Sequence, residues 1–237
     1  MAAELQSALG RLLDAPVSLS AAGRTDAGVH ATGQVISFTT QRDFPFDRLA
    51  VALNSMLPGD ISVREVALVE QTFSARFSAL ERTYAYLILN SPSPSALRRR
   101  YAYHVRGELD LHGLRAAASF LVGEHDFRSF CGALPERGPT VRTIGRLEIE
   151  ARGDMVLVRI TADGFLHRMV RTIVGTLLEV AAGRQKAEEM AAILAAHDRQ
   201  AAGPTAPPQG LYLAGVRYEG FDSFKDPALN SLRAAAP

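Results

Sequence analysis

The spacing of apolar residues predicts alternating helices and strands along the first third of the chain. Leucines three and four residues apart indicate an amphipathic helix, and alternating or β-branched runs indicate strands. The predicted elements are, in order, a helix over residues 1–13, strands over 17–22 and 34–40, a helix through Leu49, Leu53 and Met56, and a strand over 61–69. This α-β-β-α-β order matches a ferredoxin-like unit without its opening strand.

The rest of the chain shows the same helical and strand spacings of apolar residues, over longer stretches. The predicted elements are strands over 82–89, 101–105, 142–150, 155–162 and 211–218, and helices that begin at Asp110, at Met169 and at Ala187. The strands on either side of Gly153 form a hairpin. The helix from Met169 has a strong apolar face and a cap glycine, Gly183. It also contains Gly175, where we expect close packing because glycine lowers helix propensity.

Two domains and a tail are expected from this pattern. The first is an N-terminal α/β half over residues 1–78, which carries the loop around Asp26. The second is a C-terminal α/β half over residues 79–221. Residues 222–237 are expected to form a weakly ordered tail.

Composition narrows the class of protein. A chain of 237 residues, of which 47% are hydrophobic, can bury one large core or two small ones. No apolar run reaches the length of a membrane span, and the first residues do not resemble a secretory signal. The single cysteine, Cys131, cannot form an internal disulfide, which fits a reducing compartment. We therefore expect a cytoplasmic protein without membrane contact.

The charge balance bears on possible partners. The formal net charge is only +1, so affinity for RNA would have to come from clustered charges rather than from the total. Of the 26 lysines and arginines, only Lys186 and Lys225 are lysines. Arginine suits phosphate contacts and stacking on bases, although biased codon usage would explain the same excess.

The loop between the first two predicted strands is the main candidate for chemistry. It holds Arg24 and Asp26 among several glycines, which let backbone approach a ligand closely. Asp26 is then a candidate nucleophile, and the alternative is a polar turn in which Asp26 caps its own backbone. Asp26 and His30 lie four residues apart, but in a loop and without a second cluster of metal-ligand spacing. No metal site is therefore expected.

Residues 23–31 read Gly-Arg-Thr-Asp-Ala-Gly-Val-His-Ala and resemble the catalytic motif of the tRNA pseudouridine synthase A family. Further matches follow in the family's order at residues 73–79, 82–86, 123–127, 164–175 and 210–213. The family often has histidine where this chain has Ser74. The resemblance covers about residues 5–218 and implies an α+β pseudouridine-synthase fold. In that fold, two ferredoxin-like or RRM-like halves with mainly antiparallel sheets enclose a cleft.

The resemblance implies an isomerase that converts uridine to pseudouridine at positions 38–40 of the tRNA anticodon stem-loop. Asp26 matches the family's nucleophile, and the sequence leaves open whether it attacks the base or the sugar or removes a sugar proton. Arg171 matches the basic residue that pairs with this aspartate. Tyr84 matches the tyrosine that stacks on the uracil and helps to remove the C5 proton. Without the motifs, Arg171 would be interpreted as a surface charge and Tyr84 as a core aromatic residue.

Substrate-binding residues and partners also follow from the resemblance. Arg24 matches a residue that helps to extrude the target base, Leu211 matches an apolar residue of the uracil pocket, and His30 is grouped with them. The reaction is redox-neutral and uses no phosphoryl donor, so neither cofactor nor metal is expected. The sequence accordingly shows no phosphate-loop, dinucleotide or zinc motif. The expected partners are the tRNA anticodon arm and a second copy of the chain in a homodimer.

One part of the family's pattern is not found in this sequence. Family members usually open with a strand that carries Tyr-Asp-Gly and Gly-Trp-Gln, whereas this sequence begins near the first helix and contains no tryptophan. A start codon assigned too far downstream and a shortened form would both explain the difference. Two functional hypotheses result, an active isomerase and a catalytically impaired RNA-binding remnant. The presence of Asp26, Tyr84 and Arg171 favours the enzyme.

Overall fold

The computed structural model of the chain describes residues 1–42, 44–136 and 138–224. Contacts between residues divide the chain into two compact units. The first contains Met1–Gly23 and Val35–Ala79, and the second contains Arg24–Gln34 and the chain from Leu80 onward. The sequence pattern places the Asp26 loop in the N-terminal half, whereas its contacts group it with the second unit.

The first unit packs two amphipathic helices, α1 (Ala2–Leu13) and α2 (Phe46–Met56), around a leucine core. Both helices confirm the prediction. Three short strands accompany them in the chain, namely β1 (Ser20–Ala21), β2 (His30–Ala31) and β3 (Ile36–Ser37). β1 and β3 pair antiparallel within this unit, and β2 belongs to the second unit. The predicted strands over 17–22 and 34–40 are thus reduced to short paired segments.

The strand predicted over residues 61–69 is wrong. Asn54 donates from Nδ2 to the Val63 carbonyl and accepts from the Val63 N–H through Oδ1, both at 2.7 Å. A side chain therefore satisfies backbone groups that a neighbouring strand would otherwise pair. Val63 and Val66 pack against the leucine core, whereas Leu68 and Val69 at the end of the stretch are 72% and 57% exposed.

The second unit is built on a mainly antiparallel sheet with eight strands in the part of the chain that is described. Besides β2, its strands are β4 (Glu81–Asn90), β5 (Tyr103–Val105), β6 (Gly123–Asp126), β7 (Val141–Arg152), β8 (Met155–Ala162), β9 (Leu211–Tyr218) and β10 (Phe221–Asp222). The strand order is β10-β9-β4-β8-β7-β6, with β2 parallel to β9 and β5 parallel to β4. The helices are α3 (Leu111–Ser119), α4 (Met169–Ala181) and α5 (Glu189–Ala196).

Most elements predicted for this part of the chain are confirmed, including the β7–β8 hairpin around Gly153. Asp110 caps α3, because its Oδ1 accepts from the N–H groups of His112 and Gly113 at 2.9 and 3.0 Å. The pattern misses β6, whose polar sequence lies at a sheet edge with β7 as its neighbour. The mixture of helices and a largely antiparallel sheet agrees with the predicted α+β class. The expected arrangement of two halves around a cleft stays a prediction.

Of the tail expected over residues 222–237, residues 225–237 lie outside the described part of the chain. Asp222 ends β10, and Ser223 follows it closely against the sheet, where its Oγ accepts from the Val216 N–H at 2.8 Å. The domain limits at residues 78 and 221 stay a prediction.

α4 is buried on almost every side, whereas its sequence predicted one apolar face. All of its residues are buried except Arg171 and Glu179. Strand β4 is also buried on both faces along most of its length, which matches its near-continuous apolar sequence. A charged side chain in the first turn of such a helix needs a specific partner.

None of the helices in the described residues is long and apolar enough to cross a membrane.

Candidate functional site

The loop that holds Asp26 is joined to the sheet of the second unit at its far end. β2 pairs in parallel with β9, directly after the loop. The N–H groups of Thr32 and Gly33 then both donate to the Leu213 carbonyl, at 3.0 and 3.1 Å. Gly33 has no room for a side chain, because a Cβ there would overlap the backbone of Ala214. These contacts explain why the loop groups with the second unit.

Arg171, in the first turn of α4, reaches the carboxylate of Asp26. Its Nη1 donates to Asp26 Oδ2 at 2.7 Å. The arginine side chain is 12% exposed and the aspartate side chain 30% exposed, so water screens this ion pair less than one on the open surface. A short, charge-assisted hydrogen bond of this kind orients the carboxylate.

The backbone of Ala206 holds the same guanidinium group at a second point. Arg171 Nε donates to the Ala206 carbonyl at 2.8 Å, and the Ala206 N–H donates to the Arg171 carbonyl at 3.0 Å. Because the guanidinium is a rigid planar fork, bonds from two of its nitrogens fix its orientation. Ala206 therefore orients the arginine that in turn orients Asp26.

Gly175 allows the segment that carries Ala206 to approach α4. A Cβ at Gly175 would overlap the Pro204 carbonyl oxygen and lie 3.3 Å from the Ala206 nitrogen. Next to it, the Gly203 N–H donates to Thr176 Oγ1 at 2.9 Å. The close packing predicted at Gly175 is confirmed, and it brings the Ala206 carbonyl within reach of Arg171.

Gly175→Ala is expected to lower the free energy of unfolding by about 3 kcal/mol, because the added methyl group must displace a packed backbone carbonyl. Gly145→Ala is the matched control, since a Cβ at Gly145 meets nothing within 4 Å. The control should change stability by no more than about 0.5 kcal/mol. Urea unfolding of both variants measures the difference, and equal midpoints would contradict the packing argument.

Tyr84 projects from β4 as a buried aromatic ring. It is 8% exposed, and Phe165 packs edge-on against it with ring centroids 5.0 Å apart. Burial raises the pKa of Tyr84 to about 12, while Arg82 opposes this rise and the Asp26 carboxylate adds to it. The side chain is thus a neutral phenol at physiological pH and lies within electrostatic range of Asp26.

Two further basic side chains face Asp26 from the turn before α4. His167 Nε2 lies 3.7 Å from Asp26 Oδ1, and Arg168 Nε lies 3.8 Å from Oδ2. Their side chains are 43% and 48% exposed. Neither residue has a role predicted from the sequence, although both lie in the matched segment 164–175. The available signal was their spacing of four and three residues before Arg171 at a helix start.

Leu211 and Arg24, both expected to bind the target nucleotide, lie in different elements of the second unit. Arg24 is exposed in the same loop as Asp26, two residues before it. Leu211 is buried at the start of β9, where it pairs with Tyr86 of β4. Because alternate residues of a strand share a face, Leu211 lies on the same face of the sheet as Tyr84. No ion pair between Arg24 and Asp26 is found among the described residues.

His30 is not brought to the Asp26 carboxylate. Its ring stacks on those of Tyr212 and Tyr101, with centroids 4.8 and 5.4 Å apart, and its Nε2 donates to the Arg100 carbonyl at 2.8 Å. Tyr212 follows Leu211 in β9 and therefore points to the opposite face of the sheet. These contacts make His30 an anchor of the loop end.

Within residues 1–42, 44–136 and 138–224, no three His, Cys, Asp or Glu side chains gather as a metal site would require. The groups that face Asp26 are basic instead, namely His167, Arg168 and Arg171. Such a site is suited to an anionic ligand rather than to a cation.

Comparisons with known proteins agree on one family. The family model described as tRNA pseudouridine synthase matches residues 3–78 and 117–219. The tRNA pseudouridine synthase A of Halalkalibacterium halodurans is 50% identical over 195 residues, which cover 82% of this chain and 74% of that protein. The proteins of the same name from Brevibacillus brevis and Bacillus subtilis are 46% and 44% identical, and each match covers 91% of this chain and 88% of the relative.

Proposed function

This chain belongs to the tRNA pseudouridine synthase family, and we propose that it isomerises uridine to pseudouridine in tRNA with Asp26 as the nucleophile. The 2.7 Å hydrogen bond between Arg171 and Asp26 carries this proposal. It joins two residues 145 positions apart, from two of the motifs to which the resemblance assigns the chemistry. The alternative of a catalytically impaired RNA-binding remnant is not supported.

The reaction needs a nucleophile but no redox or phosphoryl group. The bond between ribose C1′ and uracil N1 breaks, a bond between C1′ and C5 forms, the C5 proton leaves to solvent, and N1 is protonated. A covalent adduct with Asp26 divides this change into easier steps. The Ala206 carbonyl fixes Arg171, which in turn holds the Asp26 carboxylate in one orientation. Attack by this carboxylate therefore requires little reorganisation.

The other predicted residues are assigned to binding the extruded base. Tyr84 stacks on the uracil as a neutral phenol, which suits an uncharged base in a dry pocket. Leu211 supplies an apolar wall on the same sheet face. Arg24 fills the space that the base leaves and offsets part of an unstacking cost of about a few kcal/mol. His30 supports the loop that carries Asp26 through its two tyrosine stacks.

The substrate that we propose is the anticodon stem-loop, with target uridines at positions 38–40. The proposal includes a homodimer in the cytoplasm and no cofactor or metal. Clustered arginines would supply the RNA affinity that the small net charge does not. In the run 98–100, Arg98 pairs with Asp154 at 3.1 Å, so the exposed Arg99 and Arg100 are the groups more open to phosphate.

Tritium release tests this proposal. An anticodon-arm RNA labelled at uridine C5 should release tritium without added ATP or metal, and a chelator should not change the rate. Replacing the uridines at 38–40 by cytidine should remove the signal. Release from the replaced RNA would reject the positions but keep the reaction class. No release from this RNA or from whole tRNA would overturn the proposed function.

A further inference from the structure

Arg168 has an unusual backbone conformation for an arginine. It lies immediately before α4 with φ 59° and ψ 9°, in the left-handed region. A side chain at Cβ disfavours this region, and glycine adopts it without strain. Among the described non-glycine residues, only Asp14 and His197 share a positive φ. Such strain persists where surrounding contacts impose it, and it is found disproportionately at functional sites.

A neighbouring loop holds Arg168 in place. The Gly132 N–H donates to the His167 carbonyl at 2.8 Å. A Cβ at Gly132 would lie 3.0 Å from Arg168 Cδ and 3.1 Å from Arg168 Cβ, so this glycine makes room for the arginine stem. The Arg168 carbonyl in turn accepts from the Thr172 N–H at 3.0 Å and begins α4. The fold therefore fixes the backbone from which the Arg168 side chain starts.

Arg168 makes the longer of the two guanidinium contacts with Asp26. Arg171 already bonds Asp26 Oδ2 at 2.7 Å with a side chain that is 12% exposed. Arg168 Nε lies 3.8 Å from the same oxygen, beyond hydrogen-bond length, and its side chain is 48% exposed. One carboxylate thus faces two guanidinium groups, and the outer one leaves a surplus positive charge open to solvent beside the nucleophile.

We propose that Arg168 binds a backbone phosphate next to the target uridine when tRNA is bound. This inference rests on the proposed function, since the tRNA backbone is the anion that would arrive beside Asp26. A guanidinium forms paired hydrogen bonds with phosphate oxygens, and Arg168 can turn to a phosphate without breaking a short bond. Contacts of this kind set the register of the nucleic acid. Arg168 then positions the target nucleotide while Arg171 stays with Asp26.

The test compares Arg168→Asn, Arg168→Gly and Arg168→Lys. Asparagine and glycine tolerate the left-handed backbone but remove the charge, whereas lysine keeps it. We expect Asn and Gly to weaken tRNA binding roughly tenfold at low salt, the loss of one charged hydrogen-bonding contact. The slope of log affinity against log salt should fall by about 0.7–0.9, the value for one phosphate contact. Lysine should keep most of the slope, and KM should rise with Kd while kcat stays near that of the wild type.

His197→Gly is the matched control. It relaxes a left-handed residue that faces Asp126 rather than Asp26, and it should leave the salt slope unchanged. If Arg168→Gly has a lower melting temperature than the wild type, the salt slopes of Arg168→Asn and Arg168→Lys are compared instead. An unchanged slope in Arg168→Asn would overturn the phosphate contact. A fall in kcat at unchanged Kd would overturn it too, and would make Arg168 an electrostatic partner of Asp26. A wild type without tritium release is a separate failure, that of the proposed function.

Discussion

Asp26→Asn is expected to reduce pseudouridine formation by a factor on the order of 10⁴ or more, because an amide cannot act as an anionic nucleophile. Asparagine keeps the shape of the side chain and can still accept a hydrogen bond from Arg171 Nη1, so the fold should not change. Binding of tRNA should persist, because phosphate contacts supply most of its affinity. It should even strengthen slightly, since one negative charge leaves the site. Single-turnover tritium release and filter binding on the same preparation measure the two effects.

Asp154→Asn is the control for this prediction. Asp154 also pairs with an arginine, Arg98, at 3.1 Å, but its side chain is 41% exposed at the turn between β7 and β8. Loss of that partly exposed pair should leave the rate near the wild-type value. If Asp26→Asn retained the activity of Asp154→Asn, Asp26 would not be the nucleophile. A melting curve separates loss of chemistry from loss of fold.

Arg171→Met is expected to lower kcat by about 10³-fold, as the loss of a group that orients the nucleophile does in other enzymes. It should also lower the free energy of unfolding by about 2–3 kcal/mol, since the Ala206 carbonyl and the Asp26 carboxylate lose their donor in a partly buried site. Methionine retains the unbranched stem, so the packing of α4 is preserved. Arg171→Lys should lose less, about 10–100-fold in kcat, because one ammonium group keeps the charge but not the fork.

A double-mutant cycle on unfolding free energies tests whether Arg171 acts through Asp26. Arg171→Met combined with Asp26→Ala, which removes the acceptor altogether, should show a coupling of about 1–2 kcal/mol, because the two side chains are in direct contact. Arg184→Met is the control, since its pair with Glu179 involves an arginine that is 61% exposed. That control should change stability much less than Arg171→Met does and leave kcat unchanged. Additive effects in the cycle, or an unchanged kcat in Arg171→Met, would contradict the role of Arg171.

Elements with long periodic patterns could be predicted from the sequence. α1, α4 and the β7–β8 hairpin each repeat their apolar positions over eight or more residues, so local spacing alone identifies them. The short or polar segments could not be predicted. Residues 61–69 alternate imperfectly and form no strand in the described part of the chain, and β6 is a polar strand at a sheet edge. Their state depends on neighbours rather than on their own composition.

For the functional site, too, one part could be predicted from the sequence and another part could not. The motifs around Asp26, Tyr84 and Arg171 identify the family and the reaction class, because they place specific side-chain types at specific positions. Only the tertiary structure shows that the Asp26 loop packs on β9 and that His30 stacks on tyrosines away from the carboxylate. The tertiary structure also shows that the Ala206 carbonyl orients Arg171. These features arise from backbone groups and from contacts between distant residues, neither of which leaves a periodic signal in the sequence.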